Sequence, residues 1–297
     1  MRIGTRGSAL ALAQAGWVAD AVRGLGVEPV EAVEIVEITT VGDRGERLLD
    51  KARWTSELER ALLEDRIDVA VHSAKDVPGE LAPGTVIAAI PVREDPRDVL
   101  CGGSSLASLP AGARVGTSSL RRGAQLRALR DDLRIVELRG NVDTRLRKLD
   151  AGEADALVLA FAGLRRLGRS SAAGAVLTEL VPAPGQGALV LQTRSGEAGL
   201  VRDLADSEAE ACVLAERAFA QALGASCNTP VGASAALAGP GVVELRVWVG
   251  LPDGSEWISD RFAGPAAEVG SRVAERAIAV GARELLSRAE RLAGVAP

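Results

Sequence analysis

A short apolar run that ends in a cluster of polar residues constrains the fold of this chain more than any other feature. Residues 69–71 are apolar and are followed by His72, Ser73, Lys75 and Asp76. This pattern predicts a buried strand that delivers polar side chains at its carboxyl end. In an open α/β sheet that end borders the ligand crevice. Lys75 and Asp76 are therefore candidates for chemistry, although a solvated pair in a turn explains the spacing equally well.

Strand and helix patterns alternate along the first ninety residues. Strands are predicted at residues 3–5, 32–40, 67–71 and 86–91, and helices at residues 10–25 and 54–65. This order is typical of a doubly wound sheet. A polar crossover is predicted at residues 94–98, and a second series of strands and helices begins near residue 114. Residues 188–191 form an apolar strand that we expect to return to the first domain.

The predicted fold class is thus α/β, with two doubly wound lobes followed by a C-terminal α+β domain. The predicted domain boundaries are residues 1–92 with 188–204, residues 97–182, and residues 208–297. Within the second domain, Asp143 is predicted to cap a helix that ends at residue 149. One long helix is predicted over residues 266–292.

Composition excludes several classes of protein. The chain has 297 residues, of which 47% are hydrophobic and 25% are charged, as is typical of globular proteins. No apolar run reaches the roughly 18 residues that a membrane span needs, so we expect no membrane partner. The first residues show no apolar signal core, which predicts a cytoplasmic protein. A net charge of −5 and an aromatic content of 2% also argue against nucleic-acid binding.

The three cysteines are widely spaced and form no C-x-x-C pair, which argues against a disulfide framework and against a metal site. Cys101 follows a strand pattern and Cys212 lies in a helical pattern, so both are interpreted as packing residues. Cys227 differs, because it lies among small residues that leave its thiol accessible. His72 is the single histidine of the sequence and is interpreted as structural.

A cluster of hydroxyl and guanidinium groups lies at the predicted start of a helix. Thr117 and Ser119 precede the helix, and Arg121 and Arg122 open it. The hydroxyls alone are explained as helix caps, but the arginines favour an anion site, since backbone amides at a helix start attract anions. Further arginines are expected at the same crevice, although surface ion pairs explain each of them equally well: Arg139, Arg145 and Arg166.

Eight sequence motifs, in the same order along the chain, resemble the porphobilinogen deaminase family. They are IGTRGSALALAQ at 3–14, AVHSAKDVP at 70–78, EDPRDVL at 94–100, VGTSSLRR at 115–122, LRGNVDTRL at 138–146, AGLRRLG at 162–168, GQGAL at 185–189 and SCNTPVG at 226–232. The resemblance covers nearly the whole chain. It implies two lobes similar to type II periplasmic binding proteins and a third domain that carries the cysteine.

The resemblance also implies a function and a monomeric state. An enzyme of this family joins four porphobilinogen molecules into the linear tetrapyrrole hydroxymethylbilane and releases ammonia at each step. By similarity, Cys227 holds a dipyrromethane primer through a thioether, and Asp76 is the catalytic acid/base. The resemblance implies primer contacts at Ser73, Lys75, Thr117, Ser119, Arg121, Arg122 and Gln186. It implies substrate contacts at Arg6, Ser8, Gln14, Arg139, Arg145 and Arg166.

One segment departs from the family pattern. Residues 44–53 are shorter than the usual loop and lack its paired glycines, and in the family this loop is thought to cover the active site. Two other functions are also compatible with the sequence. The first is a non-catalytic, two-lobed protein that binds a small anion. The second is a thiol hydrolase that uses Cys227 and His72, which is disfavoured because nothing in the sequence brings the two residues together.

Overall fold

The computed structural model describes residues 1–26, 33–39, 53–225 and 229–294. The chain divides into two compact units. The first consists of Met1–Glu94 with Ala188–Val213, and the second consists of Asp95–Gly187 with Leu214–Pro297. The chain therefore leaves the first unit after Glu94, returns to it at Ala188, and leaves it again within a helix.

The strands and helices are numbered along the chain. The strands are β1 (Arg2–Thr5), β2 (Glu34–Glu37), β3 (Val69–Ser73), β4 (Thr85–Ala89), β5 (Asp98–Cys101), β6 (Arg114–Gly116), β7 (Arg134–Val136), β8 (Ala156–Ala160), β9 (Ala175–Leu177), β10 (Leu189–Arg194), β11 (Val231–Gly239), β12 (Val242–Gly250) and β13 (Trp257–Pro265). The helices are α1 (Ala9–Gly24), α2 (Arg53–Leu63), α3 (Leu120–Leu129), α4 (Val142–Asp150), α5 (Phe161–Arg166), α6 (Ser207–Ala222), α7 (Ala266–Ala279) and α8 (Ala282–Leu292).

The first unit is built on a five-stranded sheet of order β2-β1-β3-β10-β4. Strands β1, β2 and β3 are parallel, and β10 runs antiparallel to both of its neighbours. Apolar side chains of β1, β3 and β10 pack against the buried face of α1. On the opposite face, Ala70 of β3 packs against α2. Because β3 is covered on both faces, it reads in the sequence as a continuous apolar run.

The second unit contains a five-stranded sheet with the equivalent layout, of order β7-β6-β8-β5-β9. Strands β6, β7 and β8 are parallel, and β5 is antiparallel to its two neighbours. Strands β5 and β10 thus occupy the same place in their sheets, and each follows a crossing of the chain between the units. The predicted crossover is therefore too long at its end, because Asp98 already belongs to β5 and is completely buried.

The second unit also contains a three-stranded antiparallel sheet, β11-β12-β13. One face of its central strand carries Val243, Leu245, Val247 and Val249, which are all fully buried. Helices α7 and α8 contact β12, and α7 also contacts β13. Together, the two open sheets and this separate C-terminal sheet with its helices confirm the predicted fold class.

Two other local predictions are also wrong. Asn141, and not Asp143, caps α4, since the Asn141 side chain accepts a hydrogen bond from Thr144 N at 2.8 Å. Asp143 lies in the first turn, where a carboxylate is favoured by the helix dipole. The long C-terminal helix is two helices, because Gly281 adopts a left-handed conformation with φ of 96° between α7 and α8.

Residues 44–52 of the shortened segment lie outside the described residues, and so does Cys227. Among the helices that the structure describes, none is long and apolar enough to span a membrane. Within the same residues, no group of three or more His, Cys, Asp or Glu side chains is placed to hold a metal ion.

Candidate active site

A small cavity of about 90 Å³ lies at the carboxyl end of β3 in the first unit. The residues that line it come from the start of α1, from α2, and from the end of β3 with the turn that follows. They are Arg6, Ser8, Leu10, Ala11, Gln14, Thr55, Leu58, Val71, His72, Ser73 and Asp76. Five predicted site residues of the first unit are therefore brought together, namely Arg6, Ser8, Gln14, Ser73 and Asp76.

The start of α1 is tied to the end of β3 by polar side chains. The Ser8 hydroxyl caps α1 by accepting a hydrogen bond from Ala11 N at 3.3 Å. One turn later, the buried Gln14 amide donates to the Ser73 hydroxyl at 2.9 Å. Each group is thus held by a neighbour that also lines the cavity, which fixes the cavity wall.

Asp76 lies in a short 3-10 turn, Ala74–Asp76, directly after β3. The turn is fixed by a backbone hydrogen bond from Ala74 N to Ala188 O at 3.0 Å. Asp76 and Arg6 are both partly buried, and their opposite charges line the same cavity. The cavity can therefore receive a molecule that carries both an anionic and a cationic group. Lys75 is also partly buried but is not among the lining residues.

His72 is 5% exposed and lies beside Asp76 in the cavity wall. Burial lowers the pKa of His72 to about 4, and a side-chain hydrogen bond with Gln192 and the negative charge of Asp76 oppose only part of this effect. The imidazole is therefore neutral at neutral pH. This favours the structural interpretation of His72 over a role as a proton acceptor near pH 7.

A second cluster, in the other unit, is centred on Asp98 at the start of β5. One oxygen of its carboxylate accepts a hydrogen bond from Arg121 Nη1 at 2.8 Å. The other accepts from Arg122 Nη2 at 2.8 Å and from Gln186 Nε2 at 2.7 Å. Asp98 is fully buried, and the three donor residues are at most 6% exposed. We call these four residues the Asp98 cluster.

The Asp98 cluster carries a net positive charge. Burial by itself would raise the pKa of Asp98, but the charges of Arg121 and Arg122 outweigh that effect and hold the pKa well below its usual range. Asp98 is therefore ionised and neutralises only one of the two guanidinium groups. A buried site with an excess cation suits a carboxylate ligand.

Arg145, on α4, adds a further cation near this cluster. Its side chain is partly buried, and its pKa is lowered to about 10, first by burial and second by the positive charge of Arg122. The Nε atoms of Arg121 and Arg145 are buried and have no hydrogen-bond partner among the described residues. Two buried donors thus remain available, which native proteins rarely leave unsatisfied.

The predicted hydroxyl groups lie at the start of α3. Ser119 caps the helix by accepting a hydrogen bond from Arg122 N at 3.4 Å, and Ser119 N donates to the Thr117 hydroxyl at 3.2 Å. Thr117 is buried, whereas Ser119 is partly exposed. The capping interpretation is therefore confirmed by the geometry. Both hydroxyl oxygens act as acceptors in these bonds, and neither hydroxyl donates to a described residue, so both can donate to a ligand.

The two remaining predicted arginines have protein partners. Arg139 is exposed, and its Nε donates to the Glu137 carboxylate at 2.6 Å. Arg166 is partly buried, and its Nη2 donates to the Gly187 carbonyl at 2.8 Å. Arg166 thereby contacts the segment that contains Gln186.

Two of the three cysteines are described, and both are buried. Burial raises the pKa of Cys101 to about 11, and the charge of Arg122 opposes only part of this increase. Cys101 is therefore protonated near neutral pH and a poor nucleophile. This agrees with its interpretation as a packing residue.

Reasoning from the sequence missed two fully buried carboxylates, Asp98 and Glu216. Asp98 belongs to the motif at residues 94–100, but its position after Asp95 and Arg97 led to its interpretation as part of a polar crossover. The available signal was the apolar run that begins directly after it. Glu216 gives no comparable signal, since a glutamate in a helix is usually exposed.

Two family models match the chain. The model for the porphobilinogen deaminase dipyromethane cofactor binding domain matches residues 1–218, and the model for the porphobilinogen deaminase C-terminal domain matches residues 210–279. A relative from Deinococcus deserti named porphobilinogen deaminase is 46% identical over 308 residues, which cover 97% of this chain and 98% of the relative. Another, from Sorangium cellulosum, is 50% identical over 268 residues and covers 86% of this chain and 88% of the relative.

Solved structures give a weaker comparison. An ABC-transporter periplasmic substrate-binding protein from Coxiella burnetii is 16% identical, covers 73% of this chain and 94% of that chain, and gives a TM-score of 0.43. This similarity is too low to carry an argument, so the fold class rests on the sheets themselves.

The matched models define a class of transferases with a covalently attached dipyrromethane cofactor. The chain belongs to the porphobilinogen deaminase family. This confirms the resemblance seen in the sequence motifs. It does not favour the alternative of a non-catalytic protein that binds a small anion.

Replacement of Asp98 by asparagine is expected to destabilise the protein by about 3–5 kcal/mol, because it leaves two buried arginines without a counter-charge. Urea denaturation at pH 7 measures this change. The matched control is Glu137→Gln, which removes the exposed partner of Arg139 and should cost less than about 1 kcal/mol. An Asp98→Asn variant as stable as the control would contradict the assigned role of Asp98.

Stability is expected to fall in mild acid because of His72. The pKa of His72 is about 4 in the folded state and about 6.5 in the unfolded state. Its contribution to the free energy of unfolding is therefore complete above pH 6.5 and is lost as the pH falls toward 4. Between pH 7 and pH 5 the loss should be about 2 kcal/mol. His72→Gln should remove most of this dependence, as measured by urea denaturation at both pH values. An unchanged pH dependence in the variant would refute the assignment.

Proposed function

We propose that this chain joins four porphobilinogen molecules into hydroxymethylbilane, releasing ammonia at each step, from a dipyrromethane primer bound to Cys227. Membership of the porphobilinogen deaminase family supports this function. The observation that carries it is the pair of buried Nε atoms of Arg121 and Arg145 without partners among the described residues. These donors lie where net positive charge is buried, so they suit ligands that carry several carboxylates.

The primer fits the chemistry of these residues. Each pyrrole of a dipyrromethane carries an acetate and a propionate, and burying them unpaired would be prohibitive. Arginine offers a planar pair of donors that matches a carboxylate. When bound, the primer supplies the pyrrole carbon to which the first substrate is joined. The proposed primer contacts are Ser73, Lys75, Thr117, Ser119, Arg121, Arg122 and Gln186.

The substrate is proposed to contact two sets of residues. Arg6, Ser8 and Gln14 line the cavity of the first unit, where the Arg6 guanidinium suits a carboxylate of porphobilinogen. In the second unit the proposed contacts are Arg139, Arg145 and Arg166. Among these, Arg145 is the most suitable, since it is partly buried and forms no ion pair with a described residue.

Asp76 is proposed as the catalytic acid/base. Porphobilinogen carries an aminomethyl group, and its loss as ammonia leaves positive charge on the pyrrole. A carboxylate beside that carbon stabilises the charge, and it can accept the proton that the ring carbon gives up after the new bond forms. The fixed turn at Ala74–Asp76 holds the carboxylate in place, so little reorganisation is needed during the reaction.

Cys227 is proposed to anchor the primer through a thioether. It lies outside the described residues, and its role rests on the motif at residues 226–232. The burial of Cys101 and Cys212 makes both of them poor attachment points. A thioether is not broken during turnover, so the cysteine retains the growing chain while Asp76 acts on each incoming substrate.

We further propose three domains, at residues 1–92 with 188–204, residues 97–182 and residues 208–297. The separate antiparallel sheet of β11, β12 and β13 supports a third domain. The protein is proposed to act in the cytoplasm as a monomer and to bind no nucleic acid. The net charge of −5 supports the last point.

The purified chain is expected to be heavier than its sequence by one dipyrromethane, as measured by intact mass under denaturing conditions. Peptide mapping should place the extra mass at Cys227. The variant Cys227→Ala should lack it, and the matched variant Cys212→Ala should retain it. An unmodified wild-type thiol that stays unmodified after incubation with porphobilinogen would refute the proposed function.

Replacement of Asp76 by asparagine is expected to lower kcat by about 10²–10⁴-fold, since the variant can neither accept a proton nor balance positive charge. The primer should remain attached, so a low rate would not reflect loss of the anchor. Consumption of porphobilinogen measures the rate. Glu80→Gln, an exposed change four residues along the chain, is the control and should keep full activity. Full turnover by Asp76→Asn would exclude the catalytic role.

A further inference from the structure

Glu216, on α6, is a fully buried glutamate that binds two separate segments of the second unit. Its Oε2 accepts a hydrogen bond from Gly185 N at 2.6 Å, and its Oε1 accepts from Ala235 N at 2.7 Å. Its side chain has no exposed surface. One carboxylate thus joins the segment before Gln186 to strand β11.

The helix that carries Glu216 is held firmly. Phe219, one turn further along α6, is also fully buried. Gly270 of α7 lies so close that an added Cβ would be 2.4 Å from the Ala215 carbonyl oxygen. The two helices therefore pack backbone to backbone, and the Glu216 carboxylate projects from a rigid base.

The hydrogen bonds of Glu216 continue into the Asp98 cluster. Gly185 N is held by Glu216, and the next residue, Gln186, donates to Asp98 at 2.7 Å and to the Pro96 carbonyl at 2.7 Å. Asp98 in turn holds Arg121 and Arg122. Short hydrogen bonds, together with the covalent link from Gly185 to Gln186, therefore connect β11 with the two arginines.

A carboxylate is the side chain that this position requires. The two donors described above, Gly185 N and Ala235 N, are backbone N–H groups, and a carboxylate offers each of them an acceptor oxygen and presents no donor. A glutamine of the same shape would present its NH₂ group to one of the two N–H donors. That donor would then be buried without a partner, and the segment that holds it would shift.

We propose that Glu216 is a positioning residue for primer binding, which sets the Gly185–Gln186 segment, and through it the Asp98 cluster, relative to β11. This inference rests on the proposed function, in which Arg121, Arg122 and Gln186 contact the primer. Glu216 itself acts through Gln186 and is not assigned a contact with the primer. The elements it joins, α6 and β11, are those that flank Cys227 in the sequence.

The test compares Glu216→Gln with Val273→Ala, a core change in α7 of the same unit at a fully buried side chain. The fraction of purified chains that carry the primer is measured by intact mass, and the thermal midpoint of each variant is recorded. The free energy of one charge-assisted hydrogen bond corresponds to a factor of about ten in an equilibrium constant. Glu216→Gln should therefore lower the ratio of primed to unprimed chains about tenfold. Val273→Ala should lower the thermal midpoint but leave the primed fraction at the wild-type level.

Hydrogen exchange gives a readout that does not depend on the primer. In Glu216→Gln, exchange should be faster at the amides of Gly185 or Ala235 and unchanged in β8. If this variant does not fold, Glu216→Asp replaces it, because its shorter carboxylate can reach only one amide at a time. Glu216→Asp should then lower the ratio of primed to unprimed chains, but by less than Glu216→Gln.

Equal primed fractions in Glu216→Gln and wild type would overturn the inference and leave the proposed function intact. Equal losses of the primed fraction in Glu216→Gln and Val273→Ala would also overturn the inference, since general destabilisation would then explain the effect. An unprimed wild-type chain would overturn the proposed function and this inference together.

Discussion

The second unit depends on the burial of one carboxylate, Asp98, at the start of strand β5 in a five-stranded sheet. An isolated charge cannot remain ionised there, because the loss of hydration is too costly. Arg121 and Arg122 compensate for that loss, and Gln186 satisfies the remaining hydrogen bonds. Since two cations surround one anion, the cluster keeps a positive charge in the interior. This excess charge suits a ligand that carries several carboxylates, which is why we propose that the primer binds there.

The two candidate sites differ in their charges and therefore in the chemistry that they suit. In the second unit, Arg121 and Arg122 are held by the buried Asp98 carboxylate. The Nε atoms of Arg121 and Arg145 have no hydrogen-bond partner among the described residues, so both can donate to a carboxylate. In the first unit, Asp76 and Arg6 line one cavity on short segments next to the sheet. The arginines of the second unit suit retention of a polyanion. The cavity of the first unit suits proton transfer and charge stabilisation. A polymerising enzyme needs both, because it must hold a growing chain while it activates each new substrate.

Sequence predictions agree with the structure where a feature depends on residues close together in the chain. They fail where it depends on residues far apart. The apolar run at β3 and the cap by Ser119 are local features, and the sequence predicted both. The cap of α4 was misassigned because Asn141 and Asp143 are both good caps, and only the hydrogen bond to Thr144 distinguishes them. Gly281 was overlooked within an alanine-rich pattern, since a glycine interrupts a helix only where the chain must turn. Asp98 was misplaced because its partners lie 23 or more residues away.

Taken alone, the amino-acid sequence determined the fold class, the family and the identity of the candidate residues, because these depend on periodicity and on motifs that are contiguous in the chain. The tertiary structure decided which of those residues share a site and in what charge state they do so. It placed His72 in a buried position that keeps it neutral, and it enclosed Asp98 and Glu216 among donors from distant segments. Burial and long-range hydrogen bonds set these properties, and neither is encoded in the spacing of residues along the chain.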